Sequence, residues 1–181
     1  QPAFRGYEVN GNPWQLPAEE RGDWAKGLEV PLAAEAGGDF EYLFFVGSPG
    51  SYDDHGKKVS QALAKILQAA GVKIAILGPE ELSTGDAARR LGNEFSFQML
   101  GQQNVETLNE VGARKIVATC AHCFNTLANE YPQLGGNYEV VHHSQFLEWL
   151  ISEGKLDVSE ATLEERVVYH DSCYLGRHND V

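Results

Sequence analysis

Tyr42-Leu-Phe-Phe-Val-Gly-Ser-Pro-Gly50 is an unbroken apolar run closed by turn-forming residues. A run that alternates apolar and polar marks a strand with one wet face. A continuous run of strand length marks a strand covered on both faces, as in a parallel sheet held between helices. The pattern recurs at Lys73-Ile-Ala-Ile-Leu77 before Gly78-Pro79, at Lys115-Ile-Val-Ala118, at Tyr138-Glu-Val-Val141 and at Arg166-Val-Val-Tyr169. Helical patterns lie between these runs. Lys57–Ala70 places Val59, Leu63, Ile66, Leu67 and Ala70 at helical spacing, with Gly71 as its C-cap. Asp86 is placed to cap a short helix through Arg90, and Phe95–Val111 reads as a longer one ended by Gly112. A further helix runs from Cys120 through Glu130, and the last covers Ser144–Glu153 before Gly154. Strands alternating with helices predict βαβ units, right-handed crossovers and an open three-layer α/β fold, a parallel β-sheet flanked by helices in the Rossmann-like manner.

The predicted domain covers residues 41–155. Residues 1–40 hold Gly6, Gly11, Pro13, Pro17, Pro31 and Gly37-Gly38 among acidic residues, and read as an extended N-terminal arm or linker that docks through Trp14 and Trp24, with one short helix near Pro17–Lys26. Residues 156–181 read as the start of something else. Gln1 in place of Met and an end at Val181, just after a cysteine motif, give the expectation of a piece of a longer chain.

Composition narrows the classes. At 181 residues, 43% hydrophobic and 22% charged, the chain has the material for one real core. No run approaches the roughly 18 apolar residues needed to cross a bilayer, and nothing at the start reads as a signal peptide. The formal charge of −12 opposes nucleic acid and anionic lipid as partners, because the phosphate term that dominates such binding would be repulsive. Three cysteines are too few, and odd in number, for a disulfide scaffold. They point to a reducing compartment, where clustered thiols serve metals or catalysis.

Cys120-Ala-His-Cys123 follows the third strand and opens a helix. Thiols at i and i+3 share a face, and a helix start favours thiolate, so the pair suits metal ligation or a dithiol–disulfide couple. Two ligands are half of what zinc or an iron–sulfur cluster takes. Candidate additions are Cys173, His122, His142, His143 and His170, although a histidine in such a place is more often a hydrogen-bonded structural residue. Gly47-Ser-Pro-Gly50 lacks the Gly-Lys-Ser/Thr ending of a P-loop and reads as a tight turn, while Asp53-Asp54-His55 reads as a solvated turn capping the next helix.

Three longer stretches carry a resemblance: Ile116-Val-Ala-Thr-Cys-Ala-His-Cys-Phe-Asn-Thr-Leu-Ala-Asn-Glu-Tyr-Pro132, Val140-Val-His-His-Ser-Gln-Phe146 and Tyr169-His-Asp-Ser-Cys-Tyr-Leu-Gly-Arg-His-Asn179. Together they resemble the cysteine-rich (CCG) domain of heterodisulfide reductase-like iron–sulfur oxidoreductases, in particular the large bacterial membrane-associated type that passes electrons from electron-transfer flavoprotein towards menaquinone. Gly11-Asn-Pro-Trp14 resembles the stretch that follows the ferredoxin-like domain there. The resemblance implies two such domains, each binding a 4Fe-4S cluster through spaced cysteines. Cys120 and Cys123 would be the closing pair of the first. Cys173 would be the opening ligand of a truncated second domain, so its thiol is expected to be free and accessible here. The implied partners are electron-transfer flavoprotein or another redox subunit and the quinone pool, reached through a membrane segment of the parent, with this module on the inner, cytoplasmic face. No catalytic residue is assigned.

The departures from the family pattern lie at two serines. A cysteine is expected after the first strand and another after the second, where this chain has Gly47-Ser48-Pro49-Gly50 and Leu82-Ser83-Thr84-Gly85-Asp86. Serine matches cysteine in shape but is a hard, weakly acidic ligand and poor for iron. Loops at the carboxyl ends of parallel strands share one edge of the sheet, so Ser48, Ser83, Cys120 and Cys123 are predicted to line one pocket. The alternative for the serines is that they satisfy turn backbone groups. The leading functional expectation is an electron-transfer module of an iron–sulfur oxidoreductase, working between a flavoprotein donor and a quinone or disulfide acceptor, with its own cluster weakened or lost. The other readings are a cluster-free docking domain and a zinc or redox-thiol site at Cys120 and Cys123, with zinc less expected than an iron–sulfur cluster as the cofactor.

Overall fold

The computed structural model describes residues 2–181. In chain order the elements are α1 (Pro2–Asn10), β1 (Tyr42–Phe45), α2 (Gly47–Tyr52), α3 (Asp54–Ala69), β2 (Ile74–Ala75), α4 (Asp86–Arg90), α5 (Glu94–Glu110), β3 (Lys115–Ala118), α6 (Ala121–Asn125), β4 (Glu139–His142) and α7 (His143–Ser152). A 3₁₀ segment covers Ala18–Ala25, and α6 runs on into a wider π-type turn over Thr126–Glu130.

The four strands form one parallel sheet in the order β2-β1-β3-β4. Leu43 pairs with Ala75 on one side and Ile116 on the other, and Ala118 pairs with His142. Successive side chains in a strand face opposite ways, which divides the core in two. Leu43, Phe45, Ile116 and Ala118 pack with Phe97 and Leu108 of α5 and with Leu127. Phe44, Ile74 and Val117 pack with Leu63 and Leu67 of α3 and with Phe146 and Leu150 of α7. Helices cover both faces, which is why the strands read as continuous apolar runs. The three-layer α/β architecture is therefore the one expected.

Several elements differ in detail. The second strand shrinks to two residues, and Ile76 instead makes a single parallel bridge to Leu32. Gly47–Gly50, expected as a tight turn, opens the helix α2, whose early Pro49 is tolerated because first-turn N–H groups need no helical partner. Residues 2–10, expected to be irregular, form α1. Tyr7 and Phe4 pack there against Ala88 and Leu100, a tertiary contact that overrides the weak helix propensity of the stretch. Of the two tryptophans in the N-terminal arm, Trp24 is buried edge-on against Phe44, whereas Trp14 stays about half exposed. The expected fifth strand, 166–169, does not form. A strand needs a neighbour to pair its amides, none pairs with it among the described residues, and Val168 is 92% exposed. Asp53 does cap the next helix, accepting from the backbone N–H of His55 and Gly56. Among the described residues no helix is long and apolar enough to cross a membrane.

Candidate functional site

A cavity of about 480 Å³ opens at the carboxyl edge of the sheet, where β1 and β3 end. Its walls include Ser48, Ser83, Cys120 and Cys123, so loops far apart in sequence bring these four side chains to one space. The rest of the lining is mostly apolar, with Tyr7, Pro13, Trp14, Pro49 and Leu91 facing Asp86 and His122.

Cys120 sits two residues past β3 as the N-cap of α6, and Cys123 lies one turn on. Both side chains line the cavity, Cys123 the more deeply buried. The Cys123 thiol, together with the backbone N–H groups of Cys123 and His122, lowers the Cys120 pKa to about 6 against the opposing effect of burial. Donation to Cys120, and then burial, push Cys123 well above its ordinary value. The two shifts run in opposite directions and favour the thiolate at Cys120 over Cys123. Cys123 is packed tightly, since a Cβ placed on Gly47 would lie 3.2 Å from its sulfur.

The serines differ from one another. Ser48 Oγ accepts from Arg21 Nη2 at 3.1 Å, and the same guanidinium nitrogen lies 3.0 Å from Glu81 Oε1. Glu81 also accepts from the backbone N–H of Val46 (2.9 Å) and Gly47 (2.8 Å), so a buried ion pair fastens the junction of β1 and α2 behind the cavity. Ser83 Oγ instead accepts from Gly85 N at 3.5 Å, the turn role that serine often takes, while still facing the cavity. A second polar group stands at the mouth, where Asp86 Oδ2 lies 2.8 Å from His122 Nδ1 and Asp86 Oδ1 accepts from Arg90 Nε at 3.0 Å.

The other sequence candidates fall outside this cluster. His142 is buried, with Nε2 donating to the Thr119 carbonyl at 3.0 Å and Nδ1 accepting from Ser144 Oγ at 2.7 Å. It caps α7, as a structural histidine does. Burial, and then the neighbouring His143, lower its pKa to about 4. Cys173 is exposed, is not a wall of the cavity, and accepts from Arg177 at 3.4 Å. Its neighbour Tyr174 packs against His122 with ring centres 4.5 Å apart. His170 is exposed. Sequence reasoning missed Arg21, Glu81 and the Asp86–His122 pair. Arg21 stands beside Glu19 and Glu20 and reads as part of a solvated charge run, so nothing local announces its burial.

A family model described as a cysteine-rich domain, CCG, matches residues 42–128. The chain is 47% identical to the EtfAB:quinone oxidoreductase of Syntrophomonas wolfei and 45% identical to the probable iron-sulfur-binding oxidoreductase FadF of Bacillus subtilis, aligned over 100% of this chain and 26% of each relative. It is 33% identical to a component of the dihydromethanophenazine:CoB–CoM heterodisulfide reductase of Methanosarcina mazei, over 92% of this chain and 40% of that protein. The chain thus spans about a quarter of the length of the first two relatives and two fifths of the third. No solved structure matches it.

These relatives imply an iron–sulfur cluster, and the residues at the cavity can be tested against one. A four-iron cluster takes four thiolates. The cavity offers two cysteines, one of them buried, and two hydroxyls, of which Ser48 is already engaged by Arg21. Among the described residues no group of three or more His, Cys, Asp or Glu is arranged to hold a metal ion. The residues present do not fit a complete cluster.

Proposed function

Residues 42–128 of this chain belong to the CCG cysteine-rich domain family, and on that premise we propose that the chain is a module of a longer iron–sulfur electron-transfer protein whose first cysteine-rich site is incomplete. The observation that carries this is the placing of Ser48, Ser83, Cys120 and Cys123 around one cavity, the two serines standing where the resemblance leads one to expect cysteine. The parent works between a flavoprotein donor and a quinone or disulfide acceptor, in line with the names of its relatives. It works at the inner face of the membrane, where a quinone acceptor is found. Residues 156–181 open its second cysteine-rich domain, with Cys173 as the first ligand there. In this module the Arg21–Glu81 pair keeps the junction of β1 and α2 in place without a metal, and Cys120 and Cys123 remain as a thiol pair.

Anaerobic reconstitution with iron and sulfide tests the reading. The starting protein is expected to take up well under one cluster per chain. The double change Ser48→Cys, Ser83→Cys is expected to take up a four-iron cluster with its brown charge-transfer absorption. A double variant that retains no more iron than the starting protein would overturn the reading, as would a starting protein that already binds a full cluster.

A further inference from the structure

We propose that Cys120 and Cys123 form a two-electron dithiol–disulfide site that a hydroperoxide entering the cavity oxidises to an intramolecular disulfide. The inference rests on the reading that this site holds no complete cluster.

Four observations carry it. The two residues lie at i and i+3 across the first turn of α6, a spacing that brings α-carbons within the reach of a disulfide. Both are free thiols, so each sulfur is available to the other. Among the described residues they are the only cysteines in the cavity walls, since Cys173 is exposed elsewhere. The cavity leads from solvent to the pair, with Cys120 partly exposed and Cys123 buried, an order that makes Cys120 the sulfur an oxidant meets first.

The chemistry balances with one peroxide. The Cys120 sulfur attacks one peroxide oxygen and the O–O bond breaks, leaving a sulfenic acid and the first molecule of water or alcohol. The Cys123 sulfur then attacks the Cys120 sulfur and the S–O bond breaks. The Cys123 proton leaves with the hydroxyl as water, and the S–S bond remains. Two thiols lose two hydrogens and two electrons, and the peroxide is reduced. A thiol reductant reverses the change.

The full chain with Cys173→Ser removes the exposed thiol and leaves only the pair. Its iron and zinc content is measured first, and it is then treated anaerobically with one equivalent of hydrogen peroxide. Loss of both free thiols, a monomer lighter by two hydrogens, and recovery of both with dithiothreitol are the expected results. In the same background Cys123→Ser should stop one oxygen heavier, as a Cys120 sulfenic acid trapped by dimedone, and Cys120→Ser should show neither change. Thiols that survive the peroxide in metal-free protein, or that go on to a two-oxygen adduct without closing, would overturn the disulfide while leaving the incomplete-cluster reading intact. A full complement of iron in the starting protein would overturn both.

Discussion

His142 shows how one side chain at the end of a strand serves the fold rather than the chemistry. Its ring is buried and neutral, with Nε2 used by the Thr119 carbonyl and Nδ1 by Ser144. Burial holds its pKa at about 4, below the ordinary 6.5. The unfolded chain therefore takes up a proton that the folded chain refuses in the interval between those values. Stability from this residue is fully present above the unfolded value and falls as pH drops from about 6.5 towards 4. Urea unfolding midpoints are expected to decline over that window. His142→Asn, which can still cap α7 but does not titrate, should flatten the decline. An unchanged pH slope in the variant would show that another group governs the acid limb. The sequence marks His142-His143 as a pair at the end of a strand, but ligand and cap look alike there. The distinction is the carbonyl that the fold brings to Nε2.

Among the elements, the junction of β1 and α2 joins strand geometry to the thiol pair. Gly47 has φ +74°, where an L side chain costs about 1–2 kcal/mol. A Cβ there would also lie 3.2 Å from Cys123 Sγ. Gly71, at the end of α3, has the same φ but open space around the Cβ position. The comparison isolates the sulfur contact. Gly71→Ala is expected to lower stability by about 1–2 kcal/mol through the backbone alone, and Gly47→Ala to cost more, read as the difference in urea midpoints. Equal losses would mean that Cys123 gives way freely. The glycine and its turn are visible in the sequence. That the turn continues into a helix, and that a sulfur sits over it, are not.

Across the molecule as a unit, Arg21 and Glu81 tie the N-terminal segment to the carboxyl edge of the sheet from 60 residues apart. Both side chains are 2% exposed. Removing one partner of such a pair leaves a buried charge, which costs about 3–5 kcal/mol. Arg21→Ala is therefore expected to be strongly destabilising in urea unfolding. Glu81→Gln in that background should recover part of the loss, because the carboxamide oxygen still accepts a hydrogen bond from the turn amides without leaving a charge. A single variant that loses less than about 1 kcal/mol would show that water reaches Glu81 and that the segment is only loosely attached. The 3₁₀ segment Ala18–Ala25 thus belongs to the packed unit, through Arg21 and Trp24, where the local sequence reads as a linker.

The three-layer α/β architecture is legible from the order of residues alone. Burial on both faces is written into each strand as a continuous apolar run, and the strand–helix alternation leaves a parallel sheet as its solution. Which loops share an edge is legible too, because it follows from strand direction, and this puts Ser48, Ser83, Cys120 and Cys123 in one neighbourhood. What that neighbourhood is chemically depends on packing. The Arg21–Glu81 pair, the Asp86–His122 pair and the burial of Cys123 rest on contacts across many residues. The failure of 166–169 to become a strand has the same origin, since pairing needs a neighbour that no local pattern can supply.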